Sequence, residues 1–356
     1  MNKEIVHYGL RIVLSLNQFS LYQTSMKRII SALLLFAPFL ASAQNEQTFA
    51  EKLGYPKGKK VLIIHVDDVG MSYESNQGAI KAIREGVANS LSVMMPCGWV
   101  PGFVNYWKDN KDIDAGLHLT LTSEWQDYRW GPLAGKPKVK GLVDSQGAMW
   151  RSVGEVVKNA SPDEVETEIR AQLERARTMG LEPTHLDSHM GTLFATPEFL
   201  QRYLKVGMEE KIPVMFPGGH NTVVQQQEKV ISDQLAMTRM VGKQLWDAGL
   251  PVLDDLENSS YGWKGPENGD KSEKALQKYK TEKYINAIKN IRPGLTMVIM
   301  HCTIHSEIFP HISDSHVTRE GDFLAMIDPE LKKYIEKEGI ILTTWREAME
   351  RRKKVK

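Results

Sequence analysis

Short apolar runs alternate along this chain with longer stretches in which apolar residues recur every three or four positions. Runs of strand length lie at 61–66, 91–95, 115–121, 185–188, 212–216, 251–253, 295–300 and 340–343. The first is apolar except for His65, and the third places Leu117, Leu119 and Leu121 on one face. Between them, 75–85 reads as a helix stopped by Gly86. Ser161-Pro162-Asp163-Glu164 supplies an N-cap, a first-turn proline and a capping-box acid. Val165, Ile169, Leu173 and Ala176 then share a face, and Gly180 ends that helix; Thr196-Pro197 opens another. Continuous apolar strands alternating with amphipathic helices predict an α/β fold with a parallel sheet covered by helices. Seven or eight such units fit a (β/α) barrel better than a doubly wound open sheet, the second choice.

Two segments interrupt the alternation. Residues 123–159 carry Trp125, Tyr128, Trp130 and Trp150 among glycines and prolines. Residues 254–271 are rich in Gly, Asn and Ser and carry Tyr261 and Trp263. At the C-terminal ends of barrel strands, such loops shape a substrate site. Trp125, Trp130 and Trp263 are therefore candidate substrate-binding residues, with loop packing the equal alternative.

The amino terminus changes the picture of the compartment. From Met26, Lys27 and Arg28 precede the apolar stretch 29–40, and Ala41-Ser42-Ala43 offers small residues for cleavage before Gln44. This three-part pattern predicts an export signal, with Met26 as the start and 1–25 as an extension. The expected division is 1–43 as extension and signal, and 44–356 as one catalytic barrel, periplasmic or extracellular. Removing 1–43 takes away Lys3, Arg11, Lys27, Arg28 and Glu4 and moves the formal charge from +1 to −2. Neither value suggests nucleic acid, and no basic stripe with aromatics appears. No stable membrane insertion is expected after cleavage. Two cysteines, Cys97 and Cys302, exclude a disulfide scaffold; they are either a pair or two buried thiols.

Chemistry gathers at the strand ends. Asp67-Asp68 ends the first run, His118 lies in the third, and His185-Leu186-Asp187-Ser188-His189 spans the fourth. His301 follows 295–300, and His305 comes shortly after. Each has a bland reading as a cap, a satisfied core imidazole or a loop residue. Together they would meet at one face of a barrel. One Asp and two His make a three-ligand set that leaves room for water and substrate, as in a catalytic metal site. The other Asp could serve as base, a further His as acid, and Asp187 could orient an imidazole. Phosphate-loop, H-E-x-x-H and G-x-S-x-G motifs are absent.

Three stretches, Ile63-Ile64-His65-Val66-Asp67-Asp68-Val69-Gly70-Met71-Ser72, Gly116-Leu117-His118-Leu119-Thr120-Leu121-Thr122 and Pro183-Thr184-His185-Leu186-Asp187-Ser188-His189, resemble the YdjC-like carbohydrate deacetylases. Asn76 and Gly78-Ala79-Ile80 fit the same pattern, which runs over about 61–347. Val69, Met190-Gly191-Thr192 and Cys302 depart from it. The resemblance implies a distorted (β/α) barrel of about seven parallel strands, like that of polysaccharide deacetylases. It implies one divalent metal ion, zinc or magnesium, held by Asp68, His118 and His189. Asp67 would be the base and His301 the acid, with Asp187 and His185 behind the ligands. The implied substrate is an acetylated oligosaccharide that loses its acetyl group. The alternatives are another metal-dependent hydrolase, such as a phosphoesterase or amidase, and a non-catalytic glycan-binding barrel.

Overall fold

The computed structural model describes residues 47–228, 232–270 and 272–355. The signal-like segment and the extension before it lie outside the described residues. Among the described residues, seven strands form one parallel sheet: β1 (Lys60–Val69), β2 (Ser90–Val93), β3 (Ala115–Leu119), β4 (Leu186–Ser188), β5 (Asp255–Glu257), β6 (Gly294–Met300) and β7 (Ile341–Leu342). The order is β4-β3-β2-β1-β6-β5, and β7 pairs with β1. β6 runs along β1 from Lys60 to Val66. On the other side, β7 pairs at Val61 and Leu62, and β2 from His65 onward. β1 is thus the centre of the sheet, and Val61, Leu62, Ile63, Ile64 and Val66 are buried against helices and neighbours. Each such burial stabilises the fold by roughly 1.5–3 kcal/mol.

The sheet curls into a half-barrel whose open side is linked by single parallel bridges, Leu186↔Val214 and Pro217↔Leu253. Strands expected at 212–216 and 251–253 form only these bridges. Pro213, Pro217 and Pro251 have no N–H to donate, so a regular ladder cannot propagate there. The run at 340–343 contracts to two paired residues. β5 falls at the start of the segment read from composition as an insertion, 254–271, and pairs with Thr296, Met297 and Val298.

The helix signals act as the pattern predicts. Ser161 and Glu164 form a complete capping box for the helix Pro162–Thr178, which buries Val165, Ile169, Leu173 and Ala176. Its buried Glu168 accepts from the N–H groups of Leu133 and Ala134, at 3.0 and 2.9 Å, tying the aromatic loop to the barrel. The helix predicted over 75–85 starts earlier, at Tyr73, because Ser72 rather than a later residue accepts the capping bond from Ser75 N. Cys97 and Cys302 are both buried and free. Among the described residues, no helix is long and apolar enough to cross a membrane.

Register carries this fold into a site. His118 pairs with Asp187 across β3 and β4, and His65 with Ser90 across β1 and β2. Side chains two apart in a strand share a face. Asp67 therefore follows His65 inward, Ser92 follows Ser90, and Asp187 follows His185. The Val66↔Met300 pair brings His301, the next residue after β6, level with Asp67.

Candidate metal centre and active site

β1 does not stop at Asp67. Its pairing with β2 shifts register between Val66 and Val69, and Asp68 adopts φ 62°. This bulge turns the second acid away from the alternation of the strand, so adjacent carboxylates reach different partners. Gly70 follows at φ 88°, and its N–H donates to Asn76 Oδ1 at 2.7 Å.

Asp68 Oδ1 lies 3.2 Å from His118 Nε2 and 3.2 Å from His189 Nδ1. All three residues are buried, and one donor atom from each lies within 4.8 Å of the others. Neither carboxylate oxygen of Asp68 has a hydrogen-bond partner of good geometry. Arg319 Nη1 stands 2.7 Å from Oδ2 as an ion pair. Burial alone would raise the Asp68 pKa, but the Arg319 guanidinium and the two imidazoles hold it well below the usual carboxylate range. A buried carboxylate oxygen facing two imidazole nitrogens is a donor set that a divalent cation satisfies.

Other side chains fix the orientation of the two imidazoles. His118 Nδ1 donates to Asp187 Oδ1 at 2.6 Å, leaving Nε2 for the centre. His189 Nε2 lies 3.0 Å from Glu124 Oε1, leaving Nδ1 for the centre. Burial opposes charge on His189, but Glu124 and Asp68 push its pKa up to about 9. His65 Nε2 lies 3.1 Å from Asp67 Oδ1 and 3.0 Å from Asp187 Oδ2. Burial works against its charge too, yet Asp187 and Asp67 raise its pKa to about 9. His185 lies deeper. It stacks on Trp345 at 5.3 Å, and its Nε2 is 3.7 Å from Asp187 Oδ2. A Cβ on Gly116 would fall 2.5 Å from that ring, which is why glycine faces His185.

His301 Nε2 lies 3.9 Å from Asp67 Oδ2 and 3.9 Å from Asp68 Oδ2. Burial and then the Arg319 charge lower its pKa to about 4, against the pull of the two carboxylates. Its backbone N–H donates to Asp322 Oδ2 at 3.3 Å. The other oxygen of Asp322 accepts from Lys280 Nζ at 2.7 Å and from Tyr284 at 2.6 Å. Lys280 and Asp322 are fully buried.

A family model described as YdjC-like protein matches residues 61–337. The chain belongs to the YdjC-like family. Two relatives are carbohydrate deacetylases. That of Thermus thermophilus is 28% identical over 287 residues, 80% of this chain and 92% of that one. That of Thermoanaerobacter pseudethanolicus is 23% identical over 286 residues, 80% and 98% of the two chains. In fold, the chain resembles a candidate cellobiose-phosphate cleavage protein from Enterococcus faecalis, with a TM-score of 0.64 and 21% identity over 81% of this chain and 98% of that one.

In this YdjC-like chain, Asp67, Asp68, His118, His189, Asp187 and His301 meet at one end of the sheet, with His185 beneath them. The three tryptophans do not stay together. Trp125 is buried beside Trp130, and it walls a cleft of about 700 Å³ with Glu124, Arg151, Met190 and Ile312. Trp130 packs under it, its indole N–H donating to Thr122 O at 2.9 Å. Trp263 packs against Tyr284 at 5.0 Å, over the Lys280 cluster rather than in the cleft. Sequence reasoning gave no role to His65, Glu124 or Arg319. His65 had a signal, as the one polar residue in a buried run. Glu124 and Arg319 had none, since loop and helix positions reveal no register.

Proposed function

We propose that this chain is a metal-dependent hydrolase that removes acetyl groups from acetylated sugars or oligosaccharides. The observation that carries this reading is the convergence of Asp68, His118 and His189 next to Asp67, in a family whose relatives include carbohydrate deacetylases. These three residues would hold one divalent ion, zinc or magnesium. Bound there, the ion supplies Lewis-acid polarisation of the acetyl carbonyl and a water of lowered pKa.

The chain's own residues do the rest. Asp67 takes the proton of the attacking water. Its Oδ1 is engaged by His65 and Ser92, so Oδ2 is the oxygen that faces the reaction. Asp187 and Glu124 hold the two ligand imidazoles in one tautomer each. Arg319 offsets the charge of two adjacent acids and keeps Asp68 ionised. His301, held neutral by burial and Arg319 and 3.9 Å from Asp67 Oδ2, passes to the departing amine the proton that Asp67 takes from the water, or assists a departing alkoxide where the substrate is an ester. The cleft walled by Trp125 receives the sugar, its indole giving an apolar ring face.

Acetate release from N-acetylated chito-oligosaccharides and O-acetylated sugars, with metal or with chelator, tests this reading. Metal-dependent acetate from at least one supports it. Turnover of a phosphate ester with no acetate from any glycan would support a different hydrolase. Sugar binding that ignores chelator, without turnover, would support a binding protein. We also read 26–43 as an export signal, on its charged, apolar and small-residue pattern. Mass spectrometry of the secreted protein should find Gln44 first; an intact Met26 start in the cytoplasm contradicts it.

A further inference from the structure

We propose that His65 is a positioning residue that ties the base Asp67 to the Asp187–His118 pair, so that base and ligand keep one relative geometry. The inference rests on the reading of Asp67 as base. His65 is fully buried in the centre of β1, where every other residue from Val61 to Val66 is apolar. An imidazole there costs free energy unless both nitrogens are bonded. Both are. Nδ1 meets Ser90 Oγ at 3.0 Å, the residue that register places beside it. Nε2 bonds Ser92 Oγ at 3.1 Å and lies as a charge contact 3.1 Å from Asp67 Oδ1 and 3.0 Å from Asp187 Oδ2, an oxygen with no hydrogen bond of its own.

One ring nitrogen thus joins two carboxylates that belong to different strands and different tasks. Asp67 comes from β1 and carries the base. Asp187 comes from β4, and its other oxygen holds His118. Ser92 Oγ also reaches Asp67 Oδ1, at 3.4 Å. With Oδ1 held from two sides, the carboxylate cannot rotate, and Oδ2 stays turned toward His301 and the reacting water. Without the link, Oδ1 keeps only its long 3.4 Å contact with Ser92 and a 3.7 Å approach from His118, and a misplacement of about 1 Å costs up to about 100-fold in rate.

The test is a mutant cycle on the metal-loaded full chain, with an acetylated chito-oligosaccharide as substrate. His65→Met keeps the bulk and removes the hydrogen bonds; it should lower kcat about 10- to 100-fold with KM and metal affinity nearly unchanged. His65→Gln, whose amide nitrogen can reach the place of Nε2 and donate twice, should recover most of that loss. In an Asp67→Asn background, His65→Met should cost nothing further in kcat, because it acts through a base no longer there. Wild-type kcat in His65→Met overturns the proposal, as does an equal loss in both backgrounds or a His65→Gln no better than His65→Met. If His65→Met does not fold, Ser92→Ala takes its place in the cycle. A several-fold loss confined to the Asp67-containing background supports the proposal, and an equal loss in both overturns it. Full kcat in Asp67→Asn alone would instead overturn the base reading, and this proposal with it.

Discussion

Replacing Asp187 with asparagine removes one charge and almost no volume from beneath the candidate metal site. Asp187 is buried, and its Oδ1 accepts from His118 Nδ1 at 2.6 Å, a short charge-assisted bond. Its Oδ2 faces His65 at 3.0 Å and His185 at 3.7 Å. Burial alone would raise the Asp187 pKa, but His118, His185 and His65 hold it well below the usual carboxylate range. An amide can offer His118 a neutral oxygen or turn its NH2 group toward Nδ1. The first weakens the ligand's basicity. The second rewards the wrong tautomer, with the proton on the nitrogen that should meet the metal. Losing such an outer partner typically lowers metal affinity about 10- to 100-fold. That is a loss of about 1.4 to 2.8 kcal/mol. Calorimetric titration of zinc or magnesium into chelator-stripped protein measures it directly. Asp187→Asn with wild-type affinity for both ions would refute the assignment of His118 as a ligand oriented from behind.

Two further predictions address the scaffold. Lys280→Met should destabilise the protein by about 3–5 kcal/mol in denaturant unfolding, because it leaves Asp322 buried without its cation; a change under 1 kcal/mol would contradict the role given to that pair. Wild type should lose stability relative to His65→Gln as pH rises from about 6.5 to about 9. The folded pKa of His65 is raised to about 9, so its contribution is complete below the unfolded value and is lost as the folded imidazole deprotonates. Urea midpoints that move in parallel for the two proteins across that range would refute the shift.

Much of this molecule was legible in its residues, and the reasons it was not all legible are physical. Apolar runs placed β1, β2, β3 and β6 closely, since buried parallel strands read as continuous hydrophobic stretches. The same rule overreached at 212–216 and 251–253, where proline removes the donors a ladder needs. β5 escaped it because Asp255 and Glu257 are polar and only Leu256 is not. That an Asp pair and several histidines would gather was visible because Asp67, Asp68, His118, His189 and His301 sit at or near strand ends, which the topology brings together; the family resemblance, not the strand pattern, picked out Asp68, His118 and His189 as the candidate ligands. The bulge at Asp68 was not visible, since no glycine marks that position. Glu124 and Arg319 reach the site from a loop and from the helix His316–Met326, which strand periodicity does not describe. The tryptophans show the limit of composition: three aromatic residues in loops share a residue type, but only Trp125 walls the cleft.

The most direct test of the central claim is acetate release by Asp67→Asn beside wild type, with bound metal quantified in both. The account predicts that both proteins bind one divalent ion with similar affinity, that wild type releases acetate from an acetylated oligosaccharide only with that ion, and that the variant loses at least 100-fold in kcat. Acetate released by the variant at the wild-type rate, or by wild type fully stripped of metal, would contradict it.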